Sequence, residues 1–317
     1  MIATSLSALN PGFRRVHPGG AYNWQLQQAI LSGSPDLRRV HPGGISDSSP
    51  PLSHTMTPLY TPENTRAAYQ LNWSLSLFGT APLPGKETWS DGLAATTELD
   101  GVRILSSTKR SANVVQFFLS TQPSTAPAEI VRTVKARLQY LIRHELPKAF
   151  RRNYHIQSVG DAKSSVLDEY VARQTSRHPM ADPRVQDLLE ACQYSDDSVD
   201  LARLRIGTHG QFLNSLHVVL ENADGWNEIR EVALSKIQSS IRSSAKNEGW
   251  RLSRIGLLSN HIHILLGVAV TESPQSVAIL LMNRVAEVYD NRPWLKFSYY
   301  VGTFGGYDRG AIRVHLS

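Results

Sequence analysis

Hydrophobic and polar positions from residue 69 onward alternate between the period of a strand and that of a helix. Two-residue alternation over 71–78 predicts a half-buried strand, whereas apolar residues three and four apart over 128–150 predict an amphipathic helix. The same reading predicts strands at 102–106, 113–119, 154–159, 212–220, 252–258, 259–267 and 299–305, and helices at 89–99, 162–174, 183–191, 226–247 and 276–289. This mixture favours an α+β protein.

The order of these elements occurs twice along the chain. Tyr154 and Tyr299 are 145 positions apart, and so are Gly160 and Gly305. We interpret this as an internal duplication. The predicted boundaries are a first copy at 56–175, a linker at 176–209 and a second copy at 210–317.

Residues 1–55 differ from both copies. The heptapeptide Arg-Arg-Val-His-Pro-Gly-Gly occurs at 14–20 and again at 38–44, among Pro, Gly and Ser clusters typical of disordered segments. One interpretation is a basic tail that touches nucleic acid. The one we favour is that translation begins at Met56 and that the extension is not part of the native protein.

The most informative strand is the one predicted over 259–267, which contains His261 and His263. Alternate side chains of a strand share a face, so the two imidazoles point the same way, as a pair of metal ligands would. The alternative is a polar strand face with no ligand. His217, on the predicted strand 212–220, is interpreted as packing or a DNA contact and not as a ligand.

A second informative pair lies on the predicted helix 162–174. Tyr170 and Gln174 are four residues apart and therefore share one helix face. A tyrosine can attack a phosphodiester when a cation withdraws charge from the phosphate, and a glutamine carbonyl suits a hard divalent ion. By itself, such a pair is usually an ordinary surface feature.

Together, these motifs resemble the HUH single-tyrosine transposases of the insertion-sequence-200/605 group, over most of 69–175 and again over 210–317. The resemblance implies two ferredoxin-like units of antiparallel sheet and helices, fused as an intramolecular pseudo-dimer. It also implies Mg²⁺ or Mn²⁺ bound by His261, His263 and Gln174, with Tyr170 cleaving single-stranded or hairpin DNA through a 5′-phosphotyrosine. Family members are dimers, so a monomeric pseudo-dimer and a homodimer are both open.

Each copy departs from that family pattern in a different half. At a uniform shift of 145 positions, the first copy carries Gln116 and Phe118 where the histidines are expected, although it keeps Tyr170 and Gln174. The second copy keeps the histidines but has His315 at the tyrosine position. The copies are therefore expected to build one composite site between them, with the opposite site inactive.

Composition adds a few constraints to this picture. The 317 residues carry a net charge of +6, which favours a polyanionic partner, and the basic residues Arg132, Lys135, Arg151 and Arg152 are candidate DNA contacts. A single cysteine, no apolar run long enough to cross a bilayer and no secretory signal favour a cytoplasmic protein without membrane contact. The tryptophans are expected in cores, with base stacking open to any exposed one.

Three functional hypotheses remain at this point. The first is metal-dependent nicking and joining of single-stranded DNA, as in transposition or by a domesticated descendant. The second is a catalytically inactive, transposase-derived regulator that binds nucleic acid. The third is a hydrolase in which a metal held by the His-x-His strand activates water.

Overall fold

The structure is a computed structural model that describes residues 57–308. Within that range it contains two six-stranded mixed sheets and seven α-helices, which confirms the predicted α+β class. The predicted N-terminal extension 1–55 and the His315 position lie outside the described residues. None of the described helices is both long enough and apolar enough to cross a bilayer.

The first half of the chain runs through five strands and two helices. In order they are β1 (Arg66–Gln70), β2 (Asn72–Gly79), α1 (Ser90–Leu99), β3 (Val102–Ser111), β4 (Val114–Thr121), α2 (Pro127–Ile142) and β5 (Phe150–Val159). Three helices follow: α3 (Ser164–Ala172), α4 (Gln174–Arg177) and α5 (Pro183–Ala191).

The second half repeats the pattern after three short strands. These are β6 (Tyr194–Ser195), β7 (Arg205–Gly207) and β8 (Gly210–Leu213). The remaining elements are β9 (Ser215–Asn222), α6 (Glu231–Asn247), β10 (Arg251–Leu257), β11 (His261–Gly267), α7 (Pro274–Glu287) and β12 (Leu295–Phe304).

The four central strands have the same order in both sheets. One sheet runs β3-β4-β2-β5-β8-β7 and the other runs β1-β12-β9-β11-β10-β6. In each copy the first long strand therefore lies between the third and the fourth, and the second strand lies outside the third. Two helices cover one face of each sheet and close a separate hydrophobic core, around Trp73 and Phe117 in one copy and around Ile237 and Ile264 in the other.

The copies exchange their leading strands. β1 pairs in parallel with β12 of the second copy, and β8 pairs in parallel with β5 of the first. The chain passes from one sheet into the other at Leu71 and again at Asn214. Each sheet thus contains a strand from the other copy, so the predicted boundaries at 56–175 and 210–317 do not separate two independent sheets.

Three predicted segments differ from the structure in their bounds or content. The helix predicted over 128–150 stops at Ile142, and the chain turns before Pro147 into β5. The helix predicted over 226–247 begins only at Glu231, since Asp224 and Gly225 adopt left-handed backbone angles, with φ of 51° and 68°. The predicted linker 176–209 contains α5 and the edge strand β6, which pairs with β10.

Candidate functional site

Helix α3, which belongs to the first copy, packs on the sheet of the second copy. Leu167 and Val171 of this helix are buried with Leu265 of β11 and Phe304 of β12. A Cβ atom built on Gly256 of β10 would lie only 2.9 Å from Cγ1 of Val171, so the glycine allows the helix to approach. This packing brings residues of the two copies into one site.

The paired histidines lie under that helix. His261 and His263 are 4% and 0% exposed, on the same face of β11, and their ring centroids are 4.9 Å apart. The ring of Tyr170 stands edge-on to that of His263, with 5.7 Å between centroids. The structure therefore brings the candidate nucleophile of the first copy against the histidine pair of the second.

Gln174 lies one turn beyond Tyr170. His178 follows another turn later, and its ring is 6.1 Å from that of His261. Gln174 is the first residue of α4, after the break in the helix at Arg173, and its amide is close enough to the Tyr170 hydroxyl to lower the pKa of that group. It is 1% exposed, and apart from this approach to Tyr170 neither atom of its amide has a hydrogen-bond partner of standard geometry within the described residues.

Sequence reasoning missed the part played by His217. This residue is fully buried on β9, stacks on His263 with ring centroids 5.1 Å apart, and places Nε2 at 2.9 Å from Nδ1 of His263. When His263 donates its Nδ1 proton to His217, the lone pair of His263 lies on Nε2, the atom suited to bind an ion. His217 therefore orients a candidate ligand without itself needing to be one.

Burial keeps the histidines neutral. It lowers the pKa of His217 and of His261 to about 3, with His178 adding a smaller repulsion at His261. Burial also holds the pKa of His263 well below its usual range, and repulsion from the neighbouring histidines lowers that pKa further. Neutral imidazole is the form that binds metal ions.

The environment of the Tyr170 phenol disfavours its deprotonation. Burial raises its pKa, and the Gln174 amide and the Arg177 guanidinium oppose that rise. The guanidinium carbon of Arg177 lies 5.1 Å from the centre of the Tyr170 ring. A phenol in this setting stays protonated at neutral pH, so it needs help to act as a nucleophile.

The donor atoms of the site fit a small divalent ion. Nε2 of His263 and the amide of Gln174 are buried without hydrogen-bond partners among the described residues, and imidazole nitrogen with amide oxygen suits Mg²⁺ or Mn²⁺. Across residues 57–308, no group of three or more His, Cys, Asp or Glu side chains is arranged to hold a metal. Any ion here would depend on the glutamine as the third protein ligand.

The equivalent position in the first copy is polar but has no histidine. Trp73 pairs with Leu119 and Ser158, just as Leu216 pairs with Leu266 and Thr303. These pairs fix the alignment of the two copies strand by strand. On that alignment Val114 and Gln116 take the positions of His261 and His263. Ser74 takes the position of His217. The uniform shift that aligned His261 with Gln116 and His263 with Phe118 is therefore wrong by two residues, although the absence of a histidine pair in β4 holds.

The same comparison shows what replaced the histidine contact. Nε2 of Gln116 donates to Oγ of Ser74 at 2.6 Å, in the place of the His217–His263 pair. Nε of Arg110 donates to the other end of the Gln116 amide at 2.6 Å. The amide is thus held by two partners, unlike that of Gln174.

The candidate DNA-contacting residues lie on the first copy. Arg132 and Lys135 are on α2, and Arg151 and Arg152 are exposed on β5. The ammonium of Lys135 donates to the carbonyl oxygens of Arg151 and Arg152, which joins the helix and the strand into one basic surface. Nothing in their contacts assigns them a ligand, so their role in binding DNA stays a prediction.

Gly256→Ala tests whether the packing of α3 assembles the site. The added methyl group would push Val171 and its helix away from β10, and a shift of about 1 Å at a reactive group can lower a rate about a hundredfold. We expect the Tyr170-dependent reaction proposed below to slow by that order. The double variant Gly256→Ala/Val171→Ala, which restores the space, should recover most of the rate; equal loss in both variants would contradict this account.

His217→Phe tests the positioning role of His217. The substitution keeps a stacked ring and removes only the hydrogen bond to His263, so we expect the affinity for Mn²⁺ to fall about 10–100-fold. Titration calorimetry with the ion alone measures this directly. The exposed His209 provides the matched control, since His209→Phe should leave the affinity unchanged.

Comparison with known proteins assigns no family to the chain. No family model matches it, and no curated protein matches it. Among solved structures, the crystal structure of an unknown protein from Galdieria sulphuraria matches 74% of this chain and 97% of its own, with 7% identity and a TM-score of 0.18. A likeness that weak carries no argument about fold or function.

Proposed function

We propose that the protein nicks and rejoins single-stranded DNA through a tyrosine–phosphate intermediate, at one site built from both copies. The observation that carries the proposal is the position of Tyr170, edge-on to the buried His263 with 5.7 Å between ring centroids, although the two residues belong to different copies. The buried amide of Gln174 beside Tyr170, with no hydrogen-bond partner of standard geometry among the described residues, supports a third ligand for an ion.

The strand order supports the finer description of the fold as two ferredoxin-like units. Both copies follow the order strand, helix, strand, strand, helix, strand, with the first strand central and next to the fourth. The reciprocal pairing of β1 with β12 and of β8 with β5 gives the two units an approximate two-fold relation. We infer that the chain is a pseudo-dimer formed within one polypeptide.

Each residue then has a definite chemical task. The oxygen of Tyr170 attacks the scissile phosphorus, a Tyr–O–P bond forms, and the P–O3′ bond breaks; the phenol proton ends on the departing 3′-oxygen. Arg177, near the Tyr170 ring, supplies positive charge beside the forming phenolate. Attack of a 3′-hydroxyl on the phosphotyrosine reverses the step, so joining needs no nucleotide cofactor.

The resident cofactor in this proposal is Mg²⁺ or Mn²⁺. His261, His263 and Gln174 would hold the ion, which when bound polarises the scissile phosphate as a Lewis acid. His217 keeps the lone pair of His263 on Nε2, and burial keeps all three histidines neutral. These protein residues thus prepare the ligands before any ion arrives.

A covalent-adduct assay tests the proposal. Labelled single-stranded and hairpin DNA is incubated with the protein and Mn²⁺, and denaturing gels reveal whether label migrates with the polypeptide. An adduct supports the proposal. Binding without an adduct would favour a transposase-derived regulator, and cleavage without an adduct would favour a hydrolase that uses water.

A further inference from the structure

A cleft outside the Tyr170–His263 site combines aromatic surfaces with unpaired cations. It has a volume of about 520 Å³ and lies between the start of α6 and the loop that precedes β12. We call it the Trp226 cleft; the lining residues that carry the argument are Trp226, Arg230, Lys236, Tyr289, Arg292 and Trp294.

Two of the aromatic residues of the cleft hold each other in place, and the third is exposed. Tyr289 and Trp294 are stacked, with ring centroids 4.6 Å apart and an angle of 12° between their planes. The hydroxyl of Tyr289 donates to the buried carboxylate of Glu228 at 2.8 Å, which fixes the pair. Trp226, by contrast, is 57% exposed, although large apolar side chains are normally buried.

The charges of the cleft favour an anion. Arg230 is paired with Glu228, but Lys236 and Arg292 are exposed and form no ion pair with a carboxylate of the described chain. The lining also includes one exposed carboxylate, that of Asp290. Stacking surfaces beside free cations are the combination that binds a base together with its phosphate.

The cleft is joined to the strand end that carries His261. The amide of Ala223 donates to the carbonyl of Trp294 at 2.8 Å, and the amide of Asn222 donates to the carbonyl of Asn260 at 2.9 Å. The backbones at Trp294 and Asn260 are therefore separated by one intervening strand, β9, which is two strand spacings or about 10 Å; the cleft lies on the side of the sheet covered by α6 and α7, whereas His261 faces the side of α3. One DNA strand that passes over this end of the sheet could reach both places.

We propose that the Trp226 cleft binds an unpaired nucleotide of the DNA strand that enters the Tyr170–His263 site. The identity of the ligand rests on the proposed function. A base in a duplex is already stacked on its neighbours, so the cleft selects single-stranded DNA, and stacking on Trp226 tolerates any base. Lys236 and Arg292 neutralise the adjoining phosphates.

The test measures binding apart from chemistry. Full-length protein is titrated in EDTA with fluorescein-labelled oligothymidylate, following anisotropy and tryptophan fluorescence. We expect Trp226→Ala to weaken binding about tenfold and to remove most of the fluorescence quenching. Tyr140→Ala, which removes another exposed aromatic residue on the first copy, should change neither.

The cationic part of the cleft has its own measurement. Lys236→Ala and Arg292→Ala should each lower the slope of log affinity against log salt concentration by about 0.7. Unchanged affinity in Trp226→Ala together with unchanged slopes would overturn the proposal. So would tight binding of free thymidine monophosphate in the cleft with no preference for the oligonucleotide, or equal binding of duplex DNA.

The two proposals can fail separately. If wild-type protein forms the phosphotyrosine adduct but Trp226→Ala binds DNA normally, the cleft has been assigned wrongly and the proposed function stands. If no adduct forms under any condition while binding depends on Trp226, the cleft stands as a single-strand site and the nuclease proposal fails.

Discussion

Tyr170→Phe is expected to abolish the covalent DNA adduct completely while leaving DNA binding and Mn²⁺ binding unchanged. Phenylalanine keeps the ring that stands edge-on to His263, so the fold and the histidine pair should be preserved, but it lacks the oxygen that would bond to phosphorus. The measurement is the denaturing-gel assay, with calorimetry of Mn²⁺ binding alongside.

Tyr300 gives this experiment a demanding control. It is another half-buried tyrosine of the same histidine cluster, with its ring 5.8 Å from that of His217. Tyr300→Phe should leave the adduct intact. If the adduct survived in Tyr170→Phe and vanished in Tyr300→Phe, the nucleophile would have been assigned wrongly even though the site is the right one.

The free energy of unfolding of the metal-free protein is expected to fall steeply as the pH drops below about 6.5. His217 and His261 have folded pKa values of about 3, and that of His263 is also depressed, whereas an unfolded histidine titrates near 6.5. At a pH between the folded and the unfolded pKa, these histidines are protonated in the unfolded chain and neutral in the folded one. Each histidine then contributes about 1.4 kcal/mol of destabilisation per pH unit.

Urea unfolding at a series of pH values between about 7 and 4 measures this slope. The contribution of the histidines should be complete only well above pH 6.5, where all three are neutral in both states. His217→Phe should reduce the slope by roughly 1.4 kcal/mol per pH unit, because it removes one of the three titrating groups. A slope that is flat in the wild type, or the same in this variant, would show that the histidines are not buried as described.

The alternation of side chains in a strand was enough to predict part of the site. It placed His261 and His263 on one face of β11, and helical spacing placed Tyr170 near Gln174, although the helix predicted over 162–174 is broken at Arg173 into α3 and α4. The meeting of those two pairs could not be derived from periodicity, since they belong to different copies; it was expected only from the family resemblance. Gly256, which makes the contact possible, carried no recognisable signal.

The two-residue error in aligning the copies has a physical origin. A slip of two positions along a strand keeps every side chain on the same face, so the apolar pattern of β4 fits β11 equally well at either offset. Only the cross-strand pairs distinguish them, and these show Gln116 opposite Ser76 where His263 stands opposite Val219. Because the register between strands was unknown, the contact between His217 and His263 could not be predicted from the sequence.

The exchange of β1 and β8 between the two sheets could not be predicted from the sequence either. The residues of β8 and β9 were predicted as one continuous strand over 212–220, and nothing in their order shows that the pairing partner changes at Asn214. Backbone hydrogen bonds use groups that every residue carries, so the choice of partner leaves little mark on side-chain type. A strand that serves two sheets looks like any long strand.

Covalent continuity between the copies has a consequence for concentration. Because α3 and β11 belong to a single polypeptide, the encounter of Tyr170 with His263 is intramolecular, and dilution cannot separate them as it would two dissociable subunits. The specific activity of the proposed reaction should therefore stay constant down to the lowest amounts of protein that an assay can detect. The duplication would thus have replaced an equilibrium between subunits by a permanent tether.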